Sequence, residues 1–241
     1  MTYCVGLKLN EGLVLLSDTR TNAGLDNIST YRKMFFFEEP GERVIAIMTA
    51  GSLSVTQTTL GRLQEAIDDP DSDGTTSIMK AGSMLQVATI IGETLNRTRR
   101  EISEQLRELS QQASASFIVA GQRRDGDMRL FLIYPQGNFI MATDDTPFLQ
   151  IGEHKYGKPI LDRVVKPGTS LGDAQKAVLL SMDSTLRSNL SVGMPLDLAV
   201  IRKDDLRVSF KRRIQEGDPA FMQMSQAWSA ALRDSFVNIT I

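Results

Sequence analysis

The order of the periodic segments constrains this chain more than any single residue does. The first fifty residues read as strands. Val5, Leu7 and Leu9 alternate with Cys4, Gly6 and Lys8, the two-residue period of a strand. Asn10–Glu11–Gly12 reads as a tight turn, and Leu13–Val14–Leu15–Leu16 opens a second strand. Met34–Phe35–Phe36–Phe37 and Val44–Ile45–Ala46–Ile47–Met48 flank Glu39–Pro40–Gly41 as a second hairpin. Three- and four-residue spacing then predicts two helices. One covers 54–67 through Val55, Leu60, Leu63 and Ile67. The other covers 76–111 through Met84, Ala88, Ile91, Leu95, Ile102, Leu106 and Leu109. Strands return at Phe117–Ala120, Leu130–Tyr134 and Phe139–Thr143, with Asp125–Gly126 as a hairpin signal. A helix starts at Ser170, where Ser170 and Asp173 make a capping pair, and continues through Leu171, Ala174, Val178, Met182 and Leu186. Strands near 196–201 and 207–210 precede a short helix near 219–233. Clustered strands without strict βαβ alternation predict an α+β fold of antiparallel sheets with helices packed outside. No repeat, low-complexity tract or linker divides residues 1–241, so a single domain is expected.

Charge and cysteine usage narrow the function. With 27 basic and 29 acidic residues, the formal charge of −2 favours neither nucleic acid nor an anionic membrane as partner. Arg97, Arg99 and Arg100 sit among acidic neighbours and read as a solvated helix face. Cys4 is the only cysteine, so no intrachain disulfide can form, and a reducing compartment is expected. The first residues lack the basic start and apolar run of a signal peptide. No stretch reaches the roughly 18 apolar residues of a membrane span, so a cytoplasmic location is expected. His154 is the only histidine, which excludes a histidine triad and a multi-histidine metal site; it reads as a loop residue. The acidic run Asp68–Asp73 lacks the spacing and terminal glutamate of a calcium loop, so a solvated loop and no metal are expected. Cys4 reads as a small buried strand residue. Met79, Met84, Met222 and Met224 read as helix packing. No cofactor is implied.

The N-terminus carries the chemistry. A first hairpin turning on Glu11 puts Thr2 opposite Arg20, with Asp18 on the same face. Met1 precedes a small residue, the setting in which initiator methionine is removed. Its loss gives Thr2 a free α-amine, whose ordinary pKa is about 7.7–8.0. That amine can take the Thr2 hydroxyl proton, directly or through one water, so nucleophile and base belong to one residue. A lysine ammonium nearby disfavours protonation of the amine. Lys33 is the candidate, held and oriented by Asp18.

Thr2, Ser17–Asp18–Thr19–Arg20–Thr21, Lys33 and Thr49–Ala50–Gly51–Ser52 together resemble the proteasome β-subunit and HslV pattern. Leu16–Gly24, Arg32–Phe35, Ile151–Gly157 and Ser188–Pro195 resemble one bacterial branch of it in particular, the Anbu family. The likeness runs from Thr2 to about Ile201. It implies a four-layer αββα sandwich and a ring-like or spiral homo-oligomer, in which the long second helix would help form subunit contacts; the terminal run 236–241 is itself apolar enough to pair with a strand edge or a neighbouring subunit. It also implies Thr2 as nucleophile, Asp18 and Lys33 as its supports, and Gly51 as a backbone donor to the oxyanion. Losing such a donor raises a barrier by roughly 3–4 kcal/mol. Arg20 is expected as a structural ion-pair partner.

The chain departs from the general proteasome pattern at three points. Lys33 follows Thr2 by 31 residues, one fewer than in ordinary proteasome subunits and the same as in Anbu. Glu153, after Gly152, stands where a serine lies near the threonine amine, and a carboxylate there raises the amine's proton affinity. Ser188–Asn189–Leu190–Ser191 replaces an Asp-x-x-Ser-Gly run; Ser191 keeps the serine role, and Asp183 is a distant candidate for the missing aspartate. Three functions compete: a hydrolase of peptide or related amide bonds, a weakly active or inactive scaffold on the same fold, and a hydrolase of small amides or γ-glutamyl bonds. An ATPase partner is not legible in the sequence.

Overall fold

Burial of both faces of the first strand decides the layering. The structure is a computed structural model describing residues 2–22, 28–105 and 113–240; Met1, Ala23, Gly24, Leu106, Leu109 and Ile241, used in the sequence reading, lie outside them. In β1 (Tyr3–Leu9), Tyr3, Val5, Leu7 and Leu9 pack with Leu161, Ala174, Val178 and Met182. Cys4 instead packs with Leu13, Leu15, Met48 and Ile118. The sequence alternation suggested one apolar face, but this strand lies between a helical layer and a second sheet.

The first sheet has the order β10 (Phe148–Gly152), β1, β2 (Gly12–Asp18), β11 (Leu196–Arg202), β12 (Phe210–Ile214). The second runs β5 (Met34–Glu39), β6 (Arg43–Gly51), β7 (Ala115–Arg123), β8 (Arg129–Ile133), β9 (Phe139–Met141). Every neighbouring pair is antiparallel. Helices α1 (Leu53–Asp68) and α2 (Met84–Gln105) cover the second sheet, burying Val55, Leu63, Ile91 and Leu95 against Ile45, Ile47, Phe117 and Val119. Helices α3 (Lys158–Val164) and α4 (Leu171–Ser188) cover the first sheet. Outside them, α5 (Pro219–Asn238) docks on α4, with Arg187 Nη2 donating to Ser225 Oγ at 2.7 Å. The result is the expected four-layer αββα sandwich. Among the described residues, no helix is long and apolar enough to cross a membrane.

The capping pair behaves as its sequence predicts: Ser170 Oγ accepts from Asp173 N at 3.1 Å and opens α4. The second helix is shorter than expected and starts at Met84, not at Thr76. Residues before it hydrogen-bond locally: the Asp73 carboxylate accepts from Thr75 N at 2.8 Å and Thr75 Oγ1 at 2.6 Å, and Ser83 Oγ accepts from Gln86 N at 3.1 Å. The Asp73 and Thr75 groups offer the backbone an alternative to helix, whereas Ser83 caps the first turn of α2. The last strand starts at Phe210, not Arg207, because the chain turns at Asp204 and Leu206, with φ of 66° and 50°. Phe236 and Val237 end α5 as exposed helical residues, so this stretch pairs with no strand edge among the described residues.

A short ribbon of β3 (Arg20–Asn22) and β4 (Ile28–Thr30) projects after β2. This ribbon, β10 and α3 were absent from the sequence reading, since three to seven residues carry too little periodicity to register.

Candidate active site

The first hairpin turns on two residues, Asn10 and Glu11, with Leu9 opposite Gly12. The expected three-residue turn is one residue too long. Because strand side chains alternate, a one-residue slip changes every pairing. Cys4 therefore lies opposite Ser17, and extending this register puts Tyr3 beside Asp18. Thr2 is not opposite Arg20. On the other edge of β1, Tyr3 lies opposite Gly152.

The intended partners meet by another route. Lys33, just before β5, reaches across from the second sheet to β2. Its Nζ donates to Asp18 Oδ1 at 2.7 Å and to the Arg20 carbonyl at 2.6 Å. Both side chains are buried, at 6% and 0% exposure for Lys33 and Asp18. Tyr3 N donates to the same Asp18 oxygen at 3.1 Å, and Gly193 N donates to Oδ2 at 3.3 Å. Burial pushes the Asp18 carboxyl above its ordinary value, while the Lys33 ammonium and the two backbone donors pull it down. Asp18 thus binds the strand that carries Thr2 as well as the lysine.

A cleft of about 440 Å³ opens above this pair, and Thr2, Lys33, Thr49, Gly51, Gly152 and Glu153 are among its walls. Thr2 itself is 8% exposed. Two glycines shape the cleft. Gly51 ends β6 with φ of 115°, and a Cβ there would lie 2.3 Å from the Ser114 carbonyl oxygen. Gly152 has φ of 81°, and a Cβ there would lie 1.9 Å from the Thr2 carbonyl oxygen. That carbonyl accepts from Glu153 N at 2.7 Å, so residues 152 and 153 clamp the backbone of Thr2.

Glu153 is buried on the cleft wall, with Oε2 accepting from Asn189 Nδ2 at 3.0 Å and Oε1 lying 3.6 Å from Lys155 Nζ. Asn189 Oδ1 also accepts from Ser191 N at 2.9 Å. Within Ser188–Ser191 it is therefore Asn189 that touches the cleft wall; Ser191 is not among the cleft-lining residues. Asp183 pairs with Arg187 along α4, at 3.1 Å, and takes no part in the cleft. Arg20 supports the site through its carbonyl, while its Nη1 donates to the Leu190 carbonyl at 3.0 Å. Among the described residues it makes that hydrogen bond and no ion pair.

Tyr3 and Asn189 also meet the site, though neither stands out in the sequence. Tyr3 is fully buried; its hydroxyl shares a 2.5 Å hydrogen bond with Ser181 Oγ and accepts from Gln150 Nε2 at 2.6 Å. Burial pushes its pKa up to about 12. An aromatic residue beside the candidate nucleophile Thr2 was the only available signal. Cys4 is buried as expected, its thiol raised by burial and directed at the Thr49 carbonyl. His154 is an exposed loop residue.

A family model described as proteasome subunit matches residues 2–201. The chain belongs to the proteasome family. Solved structures narrow the branch of that family to Anbu. Anbu from Hyphomicrobium sp. strain MC1 is 46% identical, with a TM-score of 0.89 over 99% of this chain and 98% of that one. Anbu from Yersinia bercovieri, described as an ancestral β-subunit, is 44% identical, with a TM-score of 0.91 over 99% and 98%. Anbu from Pseudomonas aeruginosa, from a helical assembly of the complex, is 44% identical, with a TM-score of 0.92 over 99% and 97%. Comparison with curated proteins gives no match. In this Anbu-type chain the αββα layers follow the relatives over essentially their whole length.

Proposed function

We propose that this chain is a threonine-type N-terminal nucleophile hydrolase that cleaves peptide or related amide bonds within a self-assembled, proteasome-like oligomer. The observation that carries this reading is the buried Lys33–Asp18 pair beneath a cleft that Thr2 and Gly51 also line. Removal of Met1 frees the Thr2 amine. The Thr2 hydroxyl oxygen then attacks the substrate carbonyl carbon as the amine takes the hydroxyl proton. Gly51 N–H donates to the oxygen that gains charge. Collapse breaks the amide bond; the leaving amine takes the proton back, and an ester to Thr2 remains. Water repeats the sequence and releases the acid. Lys33 has three ammonium donors. Two are engaged by Asp18 and the Arg20 carbonyl, leaving one for the Thr2 side of the cleft.

Assembly is supported by the helical assembly described for the Pseudomonas aeruginosa relative. The end of α5 fits a subunit contact, with Phe236 and Val237 each 79% exposed and Ile239 70% exposed.

Intact-mass measurement with a peptide epoxyketone or boronate tests the chemistry. The expected result is loss of Met1 and an adduct on Thr2 that disappears in Thr2→Ala and Lys33→Ala. Retention of Met1 on nearly every chain removes the required amine and overturns the reading. The scaffold alternative draws on Glu153, whose buried carboxylate on the cleft wall favours the protonated amine. Intact assembly without any adduct supports that alternative.

A further inference from the structure

Charges around the cleft do not balance. Lys33 is neutralised by Asp18, and Glu153 faces Lys155 while its other oxygen accepts from Asn189. Asp197 and Arg213, in the adjoining cavity, hold each other by two 2.8 Å hydrogen bonds. Arg32 is different. It lines the cleft with Thr2, and it also lines two neighbouring cavities beside Met34 and Phe36. It is exposed, and among the described residues no carboxylate lies within 4.0 Å of its guanidinium. A planar cation with unused donors at the mouth of a cleft is suited to a carboxylate, which it can engage through two parallel hydrogen bonds. Tyr31, Ala50 and Leu53, which line the same cleft, offer apolar surface for the methylenes that carry such a group.

We propose that Arg32 gives the cleft its preference for an extended peptide with an acidic side chain next to the bond held at Thr2. This rests on the cleft being the substrate site, but it does not rest on hydrolysis, so binding can be measured in a chain that cannot form an ester. Glutamate is favoured over glutamine because the two have nearly the same shape and differ in the charge that Arg32 reads.

The test uses the assembled Thr2→Ala protein and fluorescence anisotropy of three dye-labelled hexapeptides. The first has a central glutamate and an amidated C-terminus; the second replaces glutamate with glutamine; the third is the glutamine peptide with a free C-terminal carboxylate. The glutamate peptide should bind roughly 10-fold more tightly than the amidated glutamine peptide, as one charge-assisted hydrogen-bond pair implies. That ratio should fall to about 2 or less in Arg32→Gln and be partly kept in Arg32→Lys, and it should weaken with added salt. Lys176→Gln, an equal change of net charge on α4 away from the cleft, should leave it unchanged. Equal binding of the two amidated peptides, no binding of either, or a ratio that survives Arg32→Gln overturns the proposal. So does tight binding confined to the free-carboxylate peptide, which would assign Arg32 to chain ends instead. Absence of a Thr2 adduct with electrophilic probes would defeat the hydrolase reading and leave this selectivity standing.

Discussion

Lys33 Nζ lies 2.7 Å from Asp18 Oδ1; Asp18 ends β2 of the first sheet, and Lys33 stands just before β5 of the second. The pair therefore links the inter-sheet packing to the cleft. A buried charge left without its partner is costly, and removing one member of such a pair destabilises by about 3–5 kcal/mol. Lys33→Ala should lower the urea midpoint accordingly and abolish Thr2 labelling. The Asp18→Asn, Lys33→Met double variant should be less destabilised than the sum of its singles, because neither charge is stranded. Additive losses in a double-mutant cycle would show that the two groups are not energetically coupled.

Gly152 lies against the backbone of Thr2, the proposed nucleophile. Gly152→Ala puts a Cβ 1.9 Å from the Thr2 carbonyl oxygen and asks an L residue to hold φ of 81°. The left-handed backbone alone costs about 1–2 kcal/mol, and relief of the clash must move Thr2. A lowered melting temperature together with lost probe labelling is expected. Normal labelling in a stable Gly152→Ala protein would mean that the clamp on Thr2 is dispensable.

Tyr3 predicts an alkaline weakness. Its pKa rises from about 10 in the unfolded chain to about 12 in the fold, because burial disfavours the phenolate. The unfolded chain loses this proton first, so the associated stability is fully present below pH 10 and is lost as pH rises towards 12. The slope is about 1.4 kcal/mol per pH unit. Tyr3→Phe leaves Ser181 and Gln150 without their partner and should cost about 1–3 kcal/mol at pH 8. Its stability should then fall less steeply between pH 9 and pH 11 than that of the parent. Parallel urea midpoints across that range would contradict this.

Cys4 should be silent in the native protein. It is fully buried and its thiol is pushed up by burial, so little thiolate forms at neutral pH. Alkylation by iodoacetamide should require unfolding, and its rate should follow urea concentration through the unfolding transition. Rapid modification at pH 8 without denaturant would mean that the inter-sheet layer opens locally.

Much of the architecture was legible because hydrophobic period and turn chemistry are local properties. The α1 span, the strand clusters and the Ser170 cap all follow from residues within a few positions of each other. Thr2, Asp18, Lys33 and Gly51 were also recognisable, since their order along the chain resembles a known family pattern. What the sequence by itself determined was thus the longer helices and strands and the candidate residues of the site. Only the tertiary structure decided how they meet. A two-residue turn shifts the first hairpin by one position and pairs Tyr3, not Thr2, with the region of Asp18. A cross-sheet reach brings Lys33 to Asp18, and a long-range hydrogen bond brings Asn189 to Glu153 on the cleft wall. The reason is physical: strand register and inter-sheet contacts depend on atoms distant in sequence, where a shift of one residue reverses every side chain while leaving the local hydrophobic pattern almost unchanged.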